Sequence, residues 1–186
     1  MRLATIQDKR VLKTLLKNQT HISDFYYIFN DLEKDYSQIA EIYQTVMKHY
    51  GYNNPPIFAC VIGKYSNFYG SKSDRDIVLL ELNVPNDLVN LQADKHWLDF
   101  IYYFYRKKLF MHEDAFDQSV AEVLNGKDVT LPFETIQATI PFINPDWLQS
   151  AYEVDKDFID KFRGVHKKLK ELDTYELTKI SLDKEK

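Results

Sequence analysis

The chain has 186 residues, of which 45% are hydrophobic and 28% are charged, with only five glycines and six prolines. This composition excludes a disordered or collagen-like chain and fits one folded domain of about 100–200 residues. The net charge is −4, and residues 21–152 carry eighteen acidic against ten basic side chains, so electrostatic binding of nucleic acid is not favoured as a general mode.

The first fifty residues predict one strand and two helices. Residues 2–6 form a short strand, and the apolar residues that follow Asp8 recur at helical spacing as far as Asn18. Residues 32–50 predict the longest helix, because their apolar side chains advance by threes and fours. Three tyrosines lie on the predicted buried stripe of that helix: Tyr36, Tyr43 and Tyr50.

The middle of the chain predicts two buried strands and two further helices. Residues 57–62 and 77–82 are short apolar runs bounded by turn residues, which is typical of strands that are buried on both faces. The loop over 63–75 between them is long enough to act as a flap or a binding edge. Residues 93–108 and 114–124 then repeat a helical pattern.

The last third of the chain predicts a central strand, an edge strand and a C-terminal helix. Residues 135–140 are rich in β-branched side chains, and residues 152–154 form the predicted edge strand. Asp155 or Asp157 can cap a helix whose apolar residues keep helical spacing up to Leu169.

Together these elements predict a single α+β domain over residues 1–172. We expect a small mixed or antiparallel sheet of four to six strands, flanked by five or six helices. Strands and helices do not alternate regularly enough for a doubly wound parallel sheet. Residues 173–186 are predicted to form a charged, partly frayed C-terminal tail.

Residue types that carry chemistry are scattered along the chain. The single cysteine, Cys60, lies within an apolar run and is predicted to be a buried, inert thiol. The five histidines stand singly, without the i, i+4 spacing that places two ligands on one helical face, so no metal site is predicted. The sequence leaves open whether the chain is an enzyme.

The apolar segments of the chain are all short. None approaches the roughly 20 residues that span a bilayer. The N-terminus lacks the apolar core of a signal peptide. We therefore expect a cytoplasmic protein without membrane contact.

Three segments of the chain stand out: the opening M-R-L-A-T-I-Q, the segment V-L-L-E-L-N-V-P-N-D at 78–87, and I-Q-A-T at 136–139 followed by Trp147 and Leu148. Together they resemble a family of small bacterial proteins of unassigned function. The family begins M-R-L-W-T-I-Q, so Ala4 stands where it has a tryptophan. The order and spacing of these segments cover residues 1–154.

The same layout resembles, more faintly, ADP-ribosyltransferase-type folds, in which a first-strand His or Arg, a middle-strand polar residue and a late-strand Glu surround NAD. This resemblance implies NAD as the cofactor to test, with Arg2 on a phosphate and a tyrosine such as Tyr65 stacked on a ring. Gln137 or Glu134 would hold a ribose hydroxyl, and Thr5 on the polar face of the first strand completes the candidate set. Gln137 stands where the glutamate is expected, which favours binding over catalysis.

Two functions follow from these patterns. The first is a protein-binding accessory, such as an inhibitor or a component of bacterial defence or counter-defence, whose tyrosine-rich surface is typical of interfaces. The alternative is an NAD- or nucleotide-binding protein of ADP-ribosyltransferase-like ancestry. In that case Gln137 and Arg2 face one cleft, with Ile136 and Ala138 on the opposite face of the late strand.

Overall fold

The structure is a computed structural model of the chain. It describes residues 1–24, 51–66, 76–93, 136–162 and 167–183, together with the single positions 45, 48, 68, 112, 114, 115 and 118. Some predictions fall on residues outside this part of the chain, among them those for Tyr36, Tyr43, Tyr50 and Glu134.

A seven-stranded antiparallel sheet dominates the described residues. Its strands are β1 (Arg2–Asp8), β2 (Ile57–Val61), β4 (Ile77–Asn83), β5 (Asn90–Ala93), β6 (Ile136–Ile140), β7 (Leu148–Glu153) and β9 (Lys179–Ile180). The order across the sheet is β5-β6-β2-β1-β4-β7-β9, and every neighbouring pair is antiparallel. Two further strands, β3 (Tyr65–Ser66) and β8 (Lys167–Lys168), pair with each other.

Two helices have both their ends in the described part of the chain, and each has a side-chain cap. Helix α1 (Lys9–Leu16) begins where the carboxylate of Asp8 accepts the backbone N–H of Arg10. Helix α2 (Lys156–Asp160) begins where Asp155 accepts the backbone N–H of Phe158 at 2.8 Å. Single turns of 3-10 helix occupy Asn86–Leu88, Pro145–Trp147 and Leu172–Thr174. None of the helices described here has the length and hydropathy needed to cross a membrane.

The sheet carries an apolar cluster on each face, because successive side chains of a strand point to opposite sides. On the first face, α1 packs its buried residues against every second residue of the central strands; the cluster includes Leu3, Val11, Leu12, Leu15, Ala59, Leu80, Leu82, Ala138 and Ala151. The second face is covered by α2 and the segment after it; this cluster comprises Ala4, Cys60, Phe68, Leu79, Tyr152, Phe158, Ile159, Phe162, Leu169 and Leu172. The sheet is therefore the central layer of the described structure.

The predicted fold class is wrong. We expected a small sheet flanked by five or six helices, whereas the described residues form a sheet-dominated structure with seven antiparallel strands and two helices. The central strands pair along much of their length, and their apolar residues are buried from both faces. That mutual burial stabilises a sheet larger than local patterns indicated.

The C-terminal helix is shorter than its helical apolar pattern predicts. The helix ends at Asp160, and Lys167–Lys168 form a strand with β3 instead of continuing it. Leu169 and Leu172 are buried in the second-face cluster by this extended segment. Farther on, Lys179–Ile180 pair with β7 at the edge of the sheet.

Candidate functional site

The candidate site begins where the central strands β1 and β2 part. Strand β1 pairs with β4 along its whole length. With β2 it pairs at only two positions, Leu3 with Val61 and Ala4 with Cys60. Beyond Ala4 the ladder between β1 and β2 stops, so the sheet is split towards the Gln7 end of β1.

Thr5 bridges the two strands at this split. A continued ladder would place Ile6 opposite Phe58. Instead, the hydroxyl of Thr5 donates to the backbone carbonyl of Phe58 at 2.7 Å, and the side-chain amide of Gln7 donates to the Thr5 hydroxyl at 2.8 Å. These side-chain bonds satisfy a backbone acceptor without closing the strands together.

A cavity of about 170 Å³ opens at the split. Its described lining combines polar side chains with apolar and aromatic ones: Gln7, Ser23, Gln137, Cys60, Ile6, Pro56, Ile57, Phe58, Ala59 and Phe68. No charged residue is among these lining residues, so the lining described here suits an uncharged group. A cavity of about 150 Å³ is enough to hold a benzene molecule, which makes this one the size of a single ring.

Gln137 enters this pocket from β6. It is the register partner of Cys60 and is only 4% exposed. Its Nε2 donates to the backbone carbonyl of Ala59 at 3.1 Å, which fixes the orientation of the amide. A glutamine amide has two N–H donors and an oxygen acceptor, so this bond leaves it able to donate to and accept from a ligand.

Arg2 and Gln137 project from the same face of the sheet. Ala4 and Cys60 are register partners and both belong to the second-face cluster. Arg2 lies two residues before Ala4 on β1, and Gln137 lies opposite Cys60 on β6, so both share that face. Ala138 belongs to the first-face cluster. Arg2 nevertheless does not line the described pocket, and the first pocket-lining residue of β1, Ile6, lies four residues farther along the strand, a distance of about 13 Å.

Two carboxylates surround the guanidinium of Arg2. Its Nε donates to Oε1 of Glu81 at 3.1 Å, and its Nη2 contacts the same oxygen. Its Nη1 lies 2.5 Å from Oε2 of Glu171. The hydrogen bond with Glu81 is the main reason that the pKa of Arg2 is raised above its ordinary value, although partial burial opposes the shift. A phosphate would have to compete with both carboxylates for this cation.

Tyr65 does not line the pocket described here. It lies in β3 opposite Lys168, and it is 45% exposed. The aromatic residue of this segment that does line the pocket is Phe68, which is buried in the second-face cluster. The structure therefore brings Gln137 to the pocket, places Thr5 beside it through Gln7, and leaves Arg2 and Tyr65 elsewhere.

Sequence reasoning did not select Phe58 or Phe68 for the pocket. Phe58 lies within a run that reads as core, and Phe68 lies in a segment predicted to be a loop. Besides Gln137, the lining residue that the sequence indicated is Gln7, because it shares the polar pattern of the first strand with Thr5.

Within the described ranges, no group of three or more His, Cys, Asp or Glu side chains is placed to hold a metal ion. Comparisons of the chain with protein-family models, with curated proteins and with solved structures find no match.

Proposed function

We propose that this chain binds a small ligand of the nucleotide class, with NAD as the first candidate, by taking one uncharged ring into the cavity between β1 and β2. The observation that supports this proposal is the split in the central sheet, with the buried amide of Gln137 on its wall. Pockets with an apolar lining and a few fixed polar groups are the usual form of small-molecule sites.

The lining matches the chemistry of an uncharged nitrogen heterocycle, such as the adenine ring of NAD. The amides of Gln7 and Gln137 can each donate and accept, as the edges of such rings require. Phe58 and Phe68 supply apolar surface for the faces of the ring. Because the cavity has the volume of about one ring, the ribose and phosphates of a nucleotide would lie outside it.

The proposal is one of binding without catalysis. Stabilising a positive charge that develops on a ribose calls for a carboxylate, and Gln137 supplies a neutral amide. Glu81 is a largely buried carboxylate on the same face, but it is ion-paired with Arg2 and does not line the described pocket.

The protein-binding function stays a prediction, as does a cytoplasmic location. The large apolar side chains that are exposed in the described part of the chain are Ile22 and Tyr65. Single exposed apolar residues are ordinary on a protein surface. These two residues therefore support a protein-binding interface less strongly than the pocket supports the binding of a small ligand.

The test is a thermal-shift and calorimetric titration with nicotinamide, adenine, adenosine and NAD. A ligand at about a hundred times its dissociation constant stabilises the folded state by about 2.7 kcal/mol. We expect at least one of these compounds to bind the wild type and to lose binding in Gln137→Met, which removes the amide and keeps a side chain of similar length.

Thr139→Val is the matched control for this experiment. Thr139 is also buried, lies two residues from Gln137 on the same face of β6, and does not line the described pocket. We expect this variant to bind as the wild type does. If no compound binds, or if both variants bind like the wild type, the pocket is not the site.

A further inference from the structure

Two glutamine side chains that line the cavity are anchored through their amide nitrogens. Nε2 of Gln137 donates to the backbone carbonyl of Ala59 at 3.1 Å. Nε2 of Gln7 donates to the hydroxyl of Thr5 at 2.8 Å. That hydroxyl in turn donates to the backbone carbonyl of Phe58 at 2.7 Å. The protein therefore holds the nitrogen end of each amide.

Neither amide can be turned end for end without losing its anchor. A backbone carbonyl can only accept a hydrogen bond, so Ala59 has to face the nitrogen of Gln137 and not its oxygen. The hydroxyl of Thr5 has a single hydrogen, which it donates to Phe58, so it can only accept from Gln7. These partners fix which end of each amide is the acceptor.

The amide oxygens of both glutamines are left for a ligand. Within the described residues, no hydrogen bond reaches Oε1 of Gln7 or Oε1 of Gln137. No side-chain nitrogen or oxygen in this part of the chain is both fully buried and without a partner, so the two oxygens are not sealed off. Gln137 is only 4% exposed and lines the cavity, so its oxygen is accessible from the cavity.

We propose that the cavity selects a ring with an exocyclic amine, such as adenine, over the same ring with a carbonyl in that position. This inference rests on the proposed function, because it specifies which uncharged ring the site takes. Each anchored amide retains one N–H and an oxygen with two lone pairs, so acceptors outnumber donors. The amine of adenine brings two N–H donors to these oxygens. Hypoxanthine has one ring N–H instead, and its carbonyl would lie against an amide oxygen.

The other polar groups of the described lining do not reverse this balance. The hydroxyl of Ser23 can rotate to donate or to accept, so it accommodates either ring. The thiol of Cys60 is only a weak donor. Selection between the rings therefore depends on Gln137 and Gln7, and the buried hydroxyl of Thr5 is the positioning group for Gln7.

The test is a calorimetric titration of the full chain with adenosine, purine riboside and inosine, which share one ribose and differ at position 6 of the ring. We expect adenosine to bind at least about tenfold more tightly than the other two, because neither brings two donors to the amide oxygens. If either analogue binds as tightly as adenosine while Gln137→Met still abolishes binding, the selectivity is overturned and the proposed function stands. If none of the three binds, the selectivity is overturned, and the proposed function falls with it when adenine and NAD also fail to bind.

Variants of Thr5 test the positioning of Gln7 separately. Thr5→Val removes the hydroxyl that holds the Gln7 amide, so the amide can turn either end towards the ring. We expect the preference for adenosine over inosine to fall by about threefold or more, whereas Thr5→Ser keeps the hydroxyl and should keep the preference. A general loosening of the split would weaken both nucleosides together and leave their ratio unchanged.

Gln7→Met makes the same test without altering the buried hydroxyl, and it should lower the preference to a similar extent. Thermal melting checks that each variant is folded. An unchanged ratio in Thr5→Val and in Gln7→Met would overturn the part given to these two residues.

Discussion

Replacing Arg2 with methionine is expected to lower the free energy of unfolding by about 2 kcal/mol. The substitution keeps most of the alkyl chain but removes the guanidinium that binds Glu81 and Glu171. The loss falls mainly on Glu81, whose side chain is only 9% exposed, because its carboxylate is then left without its partner.

The magnitude follows from the exposure of the three side chains. A hydrogen bond to a charged group contributes about 1.5–3 kcal/mol, and stranding a fully buried charge costs about 3–5 kcal/mol. Arg2 is 48% exposed, so water can reach the vacated site and reduce the cost towards the lower figure. Glu171 is 52% exposed, and an exposed pair of this kind adds only about 0–1 kcal/mol.

Urea unfolding followed by circular dichroism measures this change. With a slope of about 1–3 kcal/mol per molar urea, 2 kcal/mol corresponds to a midpoint shift of roughly 1 M. Glu171→Gln should shift the midpoint far less. Arg2→Met/Glu81→Gln should be more stable than Arg2→Met alone by about 1 kcal/mol, because the stranded charge is gone. Equal losses in Arg2→Met and Glu171→Gln, or a double variant no more stable than Arg2→Met, would refute this account.

Two further predictions concern the buried thiol of Cys60 and the partly buried imidazole of His21. Cys60 is only 2% exposed although it lines the pocket, so iodoacetamide should modify it at least about a hundredfold more slowly in the native protein than in urea. Comparable rates would show that the thiol is accessible, either through the pocket or by opening of the central sheet. Burial lowers the pKa of His21 below 6.5. As the pH falls, His21 therefore takes up a proton in the unfolded state before it does so in the folded state. Stability is lost from about pH 6.5 downward until the folded protein is also protonated. Wild type should therefore lose more stability than His21→Gln between about pH 7.5 and about pH 5.5, and parallel profiles would assign the pH dependence to other groups.

The central strands could be predicted because the local amino-acid composition indicates that they are buried. Residues 57–61 and 77–83 are apolar on both faces, and the structure covers one face with α1 and the other with α2 and its following segment. The pairing of β1 with β4 joins Arg2 to Asn83 across most of the first half of the chain. No local periodicity encodes that register, so neither the size of the sheet nor its split was predictable.

The C-terminal segment was misassigned for a related reason. Phe158, Ile159 and Phe162 fit helical spacing, but only the first two lie in α2. Leu169 and Leu172 continue the apolar pattern because they cover the second face of the sheet, Leu169 from the position after β8 and Leu172 from a 3-10 turn. A burial pattern with gaps of this length does not distinguish a helix from a segment that crosses a sheet.

The same distinction between local pattern and tertiary contact applies to the candidate site residues. Gln137 was selected by a segment resemblance, and it reaches the pocket from a predicted strand. Arg2 was placed on a phosphate by the fainter resemblance to ADP-ribosyltransferase-type folds, in which a first-strand His or Arg lies beside NAD. Its partners Glu81 and Glu171 come from distant parts of the chain, so its neutralisation depends on the tertiary fold.

A row of register partners across the second face connects these observations. It runs through four strands from β6 to β4, as Gln137, Cys60, Ala4 and Glu81. The amide stands at the pocket end of the row and the carboxylate at the Arg2 end, with the small side chains of Cys60 and Ala4 buried between them. Arg2 belongs to the closed end of the β1–β2 pair, where it compensates the charge of Glu81, and the pocket belongs to the open end, where the described lining is uncharged. The described residues of this face therefore form two separate features: an ion-pair cluster that stabilises the sheet, and a neutral cavity suited to one ring. For this reason substitution of Arg2 should change stability, whereas substitution of Gln137 should change binding.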